Sequence, residues 1–467
     1  MRGLTHWNWK PFFFPTSPQD ELIPIVCRVA PGDCRIEFEW YDKGSNSEHL
    51  VRFRPADHEE WQSLPLTGPV AVIGNLKNDE DYEFQVCRCD GAAVSRLKYA
   101  RTGIYPDTVI NYIHPREREI NPLGYCPCSP TLCRLPSGAL LSGNDVWAPG
   151  RPSDVAQLFK STDEGKTWRY VTDLHPCLWP KLFVHRGKLY ALSCSMEYGN
   201  LQISCSEDEG ETWCMPAVLM TGEGFSEFGP HKAPVPVVEH KGRLYTAIEY
   251  GAWKIGDHQS TLLSIDADAD LMDPANWCFS PFLRLDRSWP GVPDGIKCGY
   301  IEGNAVIGPD GELYNLLRMD FPGRGKACLL RAGKDPEAPE EFVEVIDCPL
   351  GANSKFEVHR DPVTGKYVMI GTEQVDDVKD ASGNPHPVQR LVLSMAVSED
   401  LRHWRVVYRL FDYRQCDPEF VGFQYPSWLI SGNDLYVQSR VAINGGETYH
   451  NANCEIFSVV HDFRQYL

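Results

Sequence analysis

The sequence has no long apolar run and no excess of positive charge. No stretch approaches the ~18 uninterrupted apolar residues of a membrane-spanning helix, and the N-terminus lacks the apolar core of about 7–15 residues that marks a signal peptide. Asp and Glu (64) outnumber Lys and Arg (45), so the formal net charge is −19. Because this charge repels phosphate backbones and anionic lipids, we expect no nucleic acid and no membrane as partners.

Motifs of metal sites, nucleotide sites and serine hydrolases are also missing: the sequence contains no HExxH, Walker A, GxSxG or EF-hand spacing. The 17 cysteines form no CxxC pair, and several lie in strand-like runs, such as Cys133, Cys194 and Cys328. Free buried thiols in a reducing cytoplasm explain this pattern better than disulfides do. Close pairs such as Cys126 and Cys128 have no second pair at ligand spacing. We therefore predict a cytoplasmic protein without metal or cofactor.

Short alternating strands occupy residues 22–105, with turn residues between them. This spacing predicts a small β-sandwich. Within it, Leu76 and Tyr82 resemble the tyrosine corner of fibronectin type III domains, in which a tyrosine hydroxyl ties down a crossover; an unrelated strand tyrosine is the alternative. Residues 1–21 form a separate N-terminal segment, and we interpret residues 106–120 as a linker that packs against the domain after it.

From residue 121 to 467, short strands alternate with Gly, Pro, Asn and Asp, and helical periodicity is almost absent. The pattern favours an all-β propeller or solenoid. The motif SxDxGxTW occurs at 161–168 and 206–213, with a degenerate copy at 398–404. Its Asp and Gly form a tight turn and its Trp packs under that turn, so the motif serves folding and carries no chemistry.

This repeat resembles the Asp-box, or BNR repeat, of the sialidase superfamily. The resemblance covers residues 121–467 and implies a sialidase-like β-propeller, for which we expect six blades, although the sequence leaves the number open. Because a propeller hosts many activities, the function has to be argued from the residues of its site.

The segment from Glu302 to Arg318 resembles the sialidase stretch in which a glutamate opens a strand, a turn at Asp310 and Gly311 comes next, and an arginine closes the return strand. The resemblance implies that Glu302 is the base partner of a tyrosine nucleophile. It also implies that Arg318 is one of three arginines that bind the substrate carboxylate. The alternative is that a surface glutamate and a strand-end arginine form a salt bridge that contributes little to stability.

The same resemblance implies roles for two further positions. Arg390, eight residues before Ser398, stands where sialidases carry another arginine of the triad, and Tyr425 lies in the segment that delivers the nucleophile. A solvated strand-end arginine and a buried strand-end tyrosine are the alternatives. For the general acid, Asp154 on the loop before the first Asp-box strand is the candidate; Asp145 and a purely structural turn aspartate are the alternatives.

The sequence departs from the sialidase pattern at one ion pair. Sialidases begin the propeller with Arg-Ile-Pro, whose Arg is the first of the triad, but Cys128-Ser129-Pro130 occupies that place here. A glutamate that orients this arginine is replaced by Arg440. We infer that the positive charge moved to the neighbouring strand, so that Arg318, Arg390 and Arg440 surround an anionic group. This change argues against sialic acid itself as the substrate.

Weaker candidates are the residues whose rings or charges suit a sugar site. His231 and Lys232 are predicted to line it, and Trp179, Trp253 and Trp428 are predicted to stack on sugar faces. For each of them, a place in the core or on the rim is the alternative.

These residues predict a retaining exo-glycosidase acting on a carboxylate-bearing sugar of a glycan or small acidic saccharide. A neutral tyrosine suits such a substrate, since a carboxylate nucleophile would be repelled by it, and sialidases are the tyrosine exception among glycosidases. Two other functions stay open: a propeller lyase acting on a uronate through His231, Tyr425 and Arg318, and a glycan-binding propeller without catalysis. The sequence leaves the sugar, the linkage and the oligomeric state open.

Overall fold

The computed structural model describes residues 6–13, 22–43, 48–148, 150, 152–225, 227–295, 299–320, 325–351 and 354–467. Their regular structure is β-strand, apart from short 3-10 helices at Pro115–Glu119, Trp253–Ile255, Pro274–Asn276 and Phe463–Tyr466. None of the helices in these ranges has the length and apolar character to cross a membrane. The all-β prediction is confirmed.

A small β-sandwich comes after a two-residue strand, β1 (Asn8–Trp9). The sandwich consists of β2 (Ile25–Gly32), β3 (Arg35–Tyr41), β4 (His49–Pro55), β5 (Gln62–Leu66), β6 (Val70–Ile73), β7 (Asp81–Arg88) and β8 (Lys98–Arg101). One sheet has the order β2-β3-β6 and the other β5-β4-β7-β8. The Tyr82 hydroxyl accepts a hydrogen bond from the Lys77 N–H at 3.0 Å. Such a bond to upstream backbone is what a tyrosine corner makes; the fibronectin type III assignment stays a prediction.

The rest of the described chain forms a ring of six sheets, or blades, in chain order. The first strand of this part of the chain is β9 (Thr108–Tyr112), which belongs to blade 6. Blade 1 contains β10 (Cys126–Pro127), β11 (Thr131–Arg134), β12 (Leu140–Trp147), β13 (Ala156–Ser161) and β14 (Arg169–Leu174), with β1 at its outer edge. Blade 2 contains β15 (Leu178–His185), β16 (Lys188–Cys194), β17 (Leu201–Ser206) and β18 (Ala217–Met220).

Blade 3 contains β19 (Gly229–His231), β20 (Val238–His240), β21 (Arg243–Ala252), β22 (Asp257–Asp266), β23 (Trp277–Phe279) and β24 (Leu283–Arg284). Blade 4 contains β25 (Tyr300–Ile307), β26 (Leu313–Met319), β27 (Lys326–Arg331) and β28 (Glu341–Asp347). Blade 5 contains β29 (Glu357–Arg360), β30 (Tyr367–Glu373), β31 (Val392–Ser398) and β32 (Arg405–Asp412). Blade 6 contains β33 (Gly422–Ser431), β34 (Asp434–Ala442) and β35 (Cys454–Val460). This ring of radial sheets is a β-propeller.

The fourth strand of blade 6 comes from the other end of the chain. β9 pairs antiparallel with β35, so Tyr112 lies opposite Cys454 and Thr108 opposite Phe457. The Arg28 guanidinium of the sandwich donates to the Ile110 carbonyl at 2.7 Å, which attaches the sandwich to the same strand. Residues 106–120, predicted from the sequence to be a linker, therefore include a strand of the ring.

The two full SxDxGxTW segments close the turn between β13 and β14 in blade 1 and the turn between β17 and β18 in blade 2. Asp163 accepts hydrogen bonds from the backbone and side chain of Thr167 at 2.9 and 2.6 Å, and the Trp168 indole donates to the Gly165 carbonyl at 3.1 Å. Asp208, Thr212 and Trp213 repeat these contacts. Since the first strand of each blade begins at the opposite end, the motif lies on the face of the ring away from the starts of the innermost strands.

Candidate active site

Three innermost strands carry a bulge at equivalent positions. Trp179 on β15, Glu302 on β25 and Tyr425 on β33 have positive φ angles of 53°, 58° and 50°, and the pairing register shifts at each of them. The three positions are evenly spaced, 123 residues apart, in alternate blades. Because a bulge re-aims one side chain out of the pleat, it lets blades 2, 4 and 6 each present a side chain to the central channel.

Arg318 joins Glu302 to Tyr425. Its Nη1 donates to Glu302 Oε2 at 2.6 Å and to the Tyr425 hydroxyl at 3.2 Å. Glu302 and Arg318 are buried, whereas Tyr425 is partly exposed. Three residues that are distant along the chain thus meet at the start of the innermost strands, as the sequence predicted.

Two more guanidiniums lie against the Tyr425 ring. The Arg390 Cζ is 5.7 Å from the ring centroid, and the Arg440 Cζ is 5.1 Å from it. Arg390 donates to Gln424, and Arg440 donates to the His450 carbonyl. Three arginines therefore converge on one phenol, which makes this part of the channel electropositive.

The ionisation of the central pair depends on burial and charge. Burial by itself raises the pKa of Glu302, but Arg318 and His231 outweigh it, so the pKa is lowered and the carboxylate stays ionised. The pKa of Tyr425 is raised, first by burial and then by Glu302, although the three arginines oppose the rise. At neutral pH the phenol is protonated and has an ionised carboxylate as its neighbour.

Arg440 lies beside the residues that replace the Arg-Ile-Pro motif. The thiols of Cys126 and Cys128 and the carboxyl of Asp145 are close enough to interact with it electrostatically. Burial raises the pKa of Asp145 to about 7, and Arg440 opposes that rise. The positive charge thus stands on blade 6 and a carboxyl on blade 1, the reverse of the order in the sialidase pattern.

His231 lies in the channel on blade 3. Its ring centroid is 4.5 Å from that of Trp179 and 5.7 Å from that of Trp253, and its Nδ1 is 3.3 Å from Glu249 Oε2. Trp253 is 40 % exposed. Trp179, His231 and Trp253 form one wall of the channel entrance, which we call the aromatic wall; the structure brings these three predicted residues together.

Trp428 does not lie at the entrance, and its prediction as a sugar-stacking residue is corrected. It is only 2 % exposed; its indole N–H donates to the Glu357 carbonyl at 3.0 Å, and its ring packs edge-on against His359. The side chain that comes after the bulge in β33 points between the blades, so neither face of the indole is available to a sugar.

Asp154 and Lys232 contact residues outside the group formed by Glu302, Arg318 and Tyr425. Asp154 lies on the loop between β12 and β13, with its carboxylate 3.7 Å from His175 Nδ1. Lys232 is fully buried behind His231 and donates to the Ala233 carbonyl at 2.7 Å. Burial lowers the pKa of Lys232 to about 7.

Sequence reasoning missed a buried ionic layer that includes Lys181, Glu249, Lys355 and Glu357. Lys355 Nζ lies 3.1 Å from Glu357 Oε2, Lys181 Nζ lies 3.5 Å from Glu357 Oε1, and Glu249 Oε1 accepts from the Gly303 N–H at 3.0 Å. A signal was present for Lys181 and Glu249, because each is a charged residue inside an otherwise apolar strand segment, where charges are rarely buried unless they are paired.

No family model and no curated protein matches the chain. Solved structures similar to it include an arabinanase and a sialidase. The α-L-arabinanase of Penicillium chrysogenum, solved with arabinobiose, is 15 % identical with a TM-score of 0.50, covering 77 % of this chain and 99 % of that chain. The NanB sialidase of Streptococcus pneumoniae is 12 % identical with a TM-score of 0.50, covering 100 % of this chain and 99 % of that chain. The shared feature is the propeller fold.

Within the described ranges, no group of three or more His, Cys, Asp or Glu side chains is arranged to hold a metal ion. What the channel does assemble is a protonated phenol, an ionised carboxylate and a group of guanidiniums. Such a set can bind an anionic group through planar forks and can deprotonate a nucleophile beside it.

Proposed function

We propose that this protein is a retaining exo-glycosidase that removes a carboxylate-bearing sugar from a glycan. The observation that carries the proposal is the Arg318 bridge, in which one guanidinium contacts both Glu302 and the Tyr425 hydroxyl while Arg390 and Arg440 flank the ring. The similarity to a sialidase and an arabinanase supports the fold on which such sites occur. The expectation that the enzyme removes a terminal sugar comes from the resemblance of the sequence to sialidases.

In the proposed reaction, Tyr425 attacks the anomeric carbon and Glu302 takes the phenolic proton. The phenol needs this base, because its pKa is raised and it does not ionise by itself at neutral pH. A neutral nucleophile also avoids repulsion by the substrate carboxylate, which Arg318, Arg390 and Arg440 hold. Departure of the glycosidic oxygen requires a proton donor, for which Asp154 is the sequence-based prediction.

The three guanidiniums favour an acidic sugar over a neutral one. The similar arabinanase was solved with arabinobiose, which carries no charge. A neutral sugar would remove water from Arg390 and Arg440 without supplying an anion to their guanidiniums, and such desolvation of charged groups is costly. We therefore place the substrate among nonulosonic acids and uronic acids, with arabinosides as the neutral comparison.

The test is a panel of 4-methylumbelliferyl glycosides of N-acetylneuraminic acid, other nonulosonic acids, glucuronic acid, galacturonic acid and arabinose. We expect turnover of an acidic member with retained configuration. Tyr425→Phe should abolish that turnover, while calorimetry still detects binding of the substrate. Tyr436→Phe is the matched control, since that hydroxyl contacts Glu164 at the opposite face.

Other outcomes point to the remaining functions. Full activity in Tyr425→Phe contradicts the proposed nucleophile. An unsaturated product that absorbs in the ultraviolet identifies a lyase, and binding of an acidic sugar without any turnover identifies a glycan-binding propeller.

A further inference from the structure

His231 and Glu249 form a buried pair in which the carboxylate orients the imidazole. Glu249 Oε2 faces His231 Nδ1 at 3.3 Å, and both side chains are nearly inaccessible, at 3 % and 1 % for His231 and Glu249. The other oxygen, Glu249 Oε1, accepts from the Gly303 N–H. Since Gly303 directly follows Glu302, one carboxylate fixes both the imidazole and the bulge that presents the proposed base.

The second ring nitrogen of His231 is left for the channel. With Nδ1 engaged by Glu249, Nε2 has no hydrogen-bond partner among the described residues. Nε2 is also not among the fully buried side-chain nitrogen and oxygen atoms that lack a partner in this part of the chain. A carboxylate on Nδ1 fixes the tautomer and orients the ring, leaving Nε2 to exchange a proton. The adjacent ring of Trp179 limits rotation of the imidazole.

The location of the pair in the ring matches the side where a leaving group would lie. His231 is on blade 3, which is opposite blade 6 and Tyr425 in a ring of six. The guanidiniums of Arg390 and Arg440 lie on the Tyr425 side, whereas the aromatic wall lies on the His231 side. A sugar whose carboxylate is held by the arginines would direct its glycosidic oxygen towards blades 2 and 3.

We propose, building on the proposed function, that His231 is the acid/base catalyst of this site, that Glu249 positions it, and that the leaving group is a sugar stacked on the aromatic wall. In the first step Nε2 gives its proton to the glycosidic oxygen as the bond from that oxygen to the anomeric carbon breaks, with the electron pair going to oxygen. Tyr425 forms the new bond and passes its proton to Glu302. In the second step water attacks the anomeric carbon as the bond from that carbon to the Tyr425 oxygen breaks; His231 takes a proton from the water, and the Tyr425 oxygen regains a proton from Glu302.

Carboxyl groups predominate around the imidazole. The titratable groups near it from the packed elements, apart from its chain neighbour Lys232, are Glu249 on β21, Glu302 on β25, Glu197 on the loop after β16 and His258 on β22. Three of these four are carboxyl groups. The pKa of Glu197 is raised by burial, although His231 opposes the rise.

Leaving-group dependence tests the assignment. The probes are the 4-methylumbelliferyl and methyl glycosides of N-acetylneuraminic acid, or of glucuronic acid if the wild type turns over only that sugar. His231→Asn should lower kcat/KM for the methyl glycoside about 10²–10⁴-fold, the usual contribution of acid catalysis. For the 4-methylumbelliferyl glycoside, whose leaving group needs no proton, kcat/KM should fall less than about tenfold.

Further variants separate catalysis from packing. For His231→Asn with the 4-methylumbelliferyl probe, azide should restore kcat and yield the glycosyl azide with retained configuration. Glu249→Gln should show the same dependence on the leaving group to a smaller degree. His258→Asn, a buried neighbour whose ring bonds to the Tyr198 hydroxyl, should affect both probes equally.

Two results would overturn the assignment. An equal loss of kcat/KM for both probes in His231→Asn shows a structural role, and leaving-group dependence in Asp154→Asn instead shows that Asp154 is the acid. Neither result affects the nucleophile. A wild type that turns over no acidic glycoside, or a fully active Tyr425→Phe, contradicts the proposed function itself and removes the basis of this inference.

Discussion

At the scale of single residues, the sequence predicted the charged centre of the channel but not its surroundings. Resemblance to sialidase motifs predicts Glu302, Arg318, Arg390 and Tyr425, and the absence of the first arginine of the triad predicts Arg440. The structure brings all five together. The Glu249 partner of His231 could not be predicted, since it depends on the pairing register of β19 and β21 in blade 3, where the two residues lie opposite each other.

Arg440 provides a test of the relocated charge. Arg440→Lys keeps the charge but loses the planar fork, so the contact with a substrate carboxylate should weaken. A charge-assisted hydrogen bond is worth about 1.5–3 kcal/mol, so we expect KM for the acidic substrate to rise about 10- to 150-fold with a smaller change in kcat. Steady-state kinetics measure both constants.

The control for this variant is Arg402→Lys, because Arg402 pairs with Glu344 at the outer part of the ring. If Arg440 serves only as a counter-charge for buried Asp145, the lysine variant will lose thermal stability with KM unchanged, and the proposed binding role is then wrong.

At the scale of elements, the bulges at Trp179, Glu302 and Tyr425 interrupt the regular strand pairing of the ring and turn one side chain each towards the channel. A non-glycine residue at positive φ costs about 1–2 kcal/mol, so the ring is strained at the three positions where it presents side chains to the channel. Their even spacing is visible in the sequence, but the only local signs are Trp179-Pro180, Glu302-Gly303 and Tyr425-Pro426. The bulge itself depends on pairing with the next strand.

The turn of the first Asp-box also holds two blades together. A Cβ on Gly165 would lie 2.0 Å from the Phe457 ring of blade 6, whereas a Cβ on Gly138 would meet nothing within 4 Å. Both glycines have positive φ, at 83° and 93°. Gly138→Ala should therefore lower the free energy of unfolding by only the backbone cost of about 1–2 kcal/mol.

Gly165→Ala adds overpacking of about 1–3 kcal/mol or more to the same backbone cost. Denaturant unfolding of both variants measures the difference. Equal losses would mean that the turn packs loosely against blade 6, contrary to the described contact.

At the scale of the whole molecule, the order of domains was easier to predict than the boundary between them. The sandwich and the propeller are predicted by strand spacing and by the repeated motif. β9 was interpreted as part of a linker because its five residues have no repeat signal, and its partner β35 lies at the far end of the chain. Pairing between such distant segments leaves no local pattern.

Closure of the ring by β9 predicts where the chain tolerates truncation. A chain that begins at Tyr105 retains β9, whereas one that begins at Pro122 leaves β35 as an open edge next to buried Ile456 and Phe457. Unpaired edges of this kind promote aggregation. We expect the shorter chain to aggregate and the longer one to stay more soluble and monodisperse, as measured by size-exclusion chromatography; similar behaviour of the two would show that β9 is dispensable.

The position of β9 also has a consequence for biosynthesis. The ribosome makes this strand before strands β10 to β32 of blades 1 to 5, and Arg28 attaches it to the sandwich, but its partner in blade 6 is made after those five blades. Until then blade 1 has no neighbour on one side, and the phenol, the carboxylate and the guanidiniums cannot meet. The phenol, the carboxylate and the guanidiniums can therefore come together only after blade 6 has been synthesised and has paired with β9.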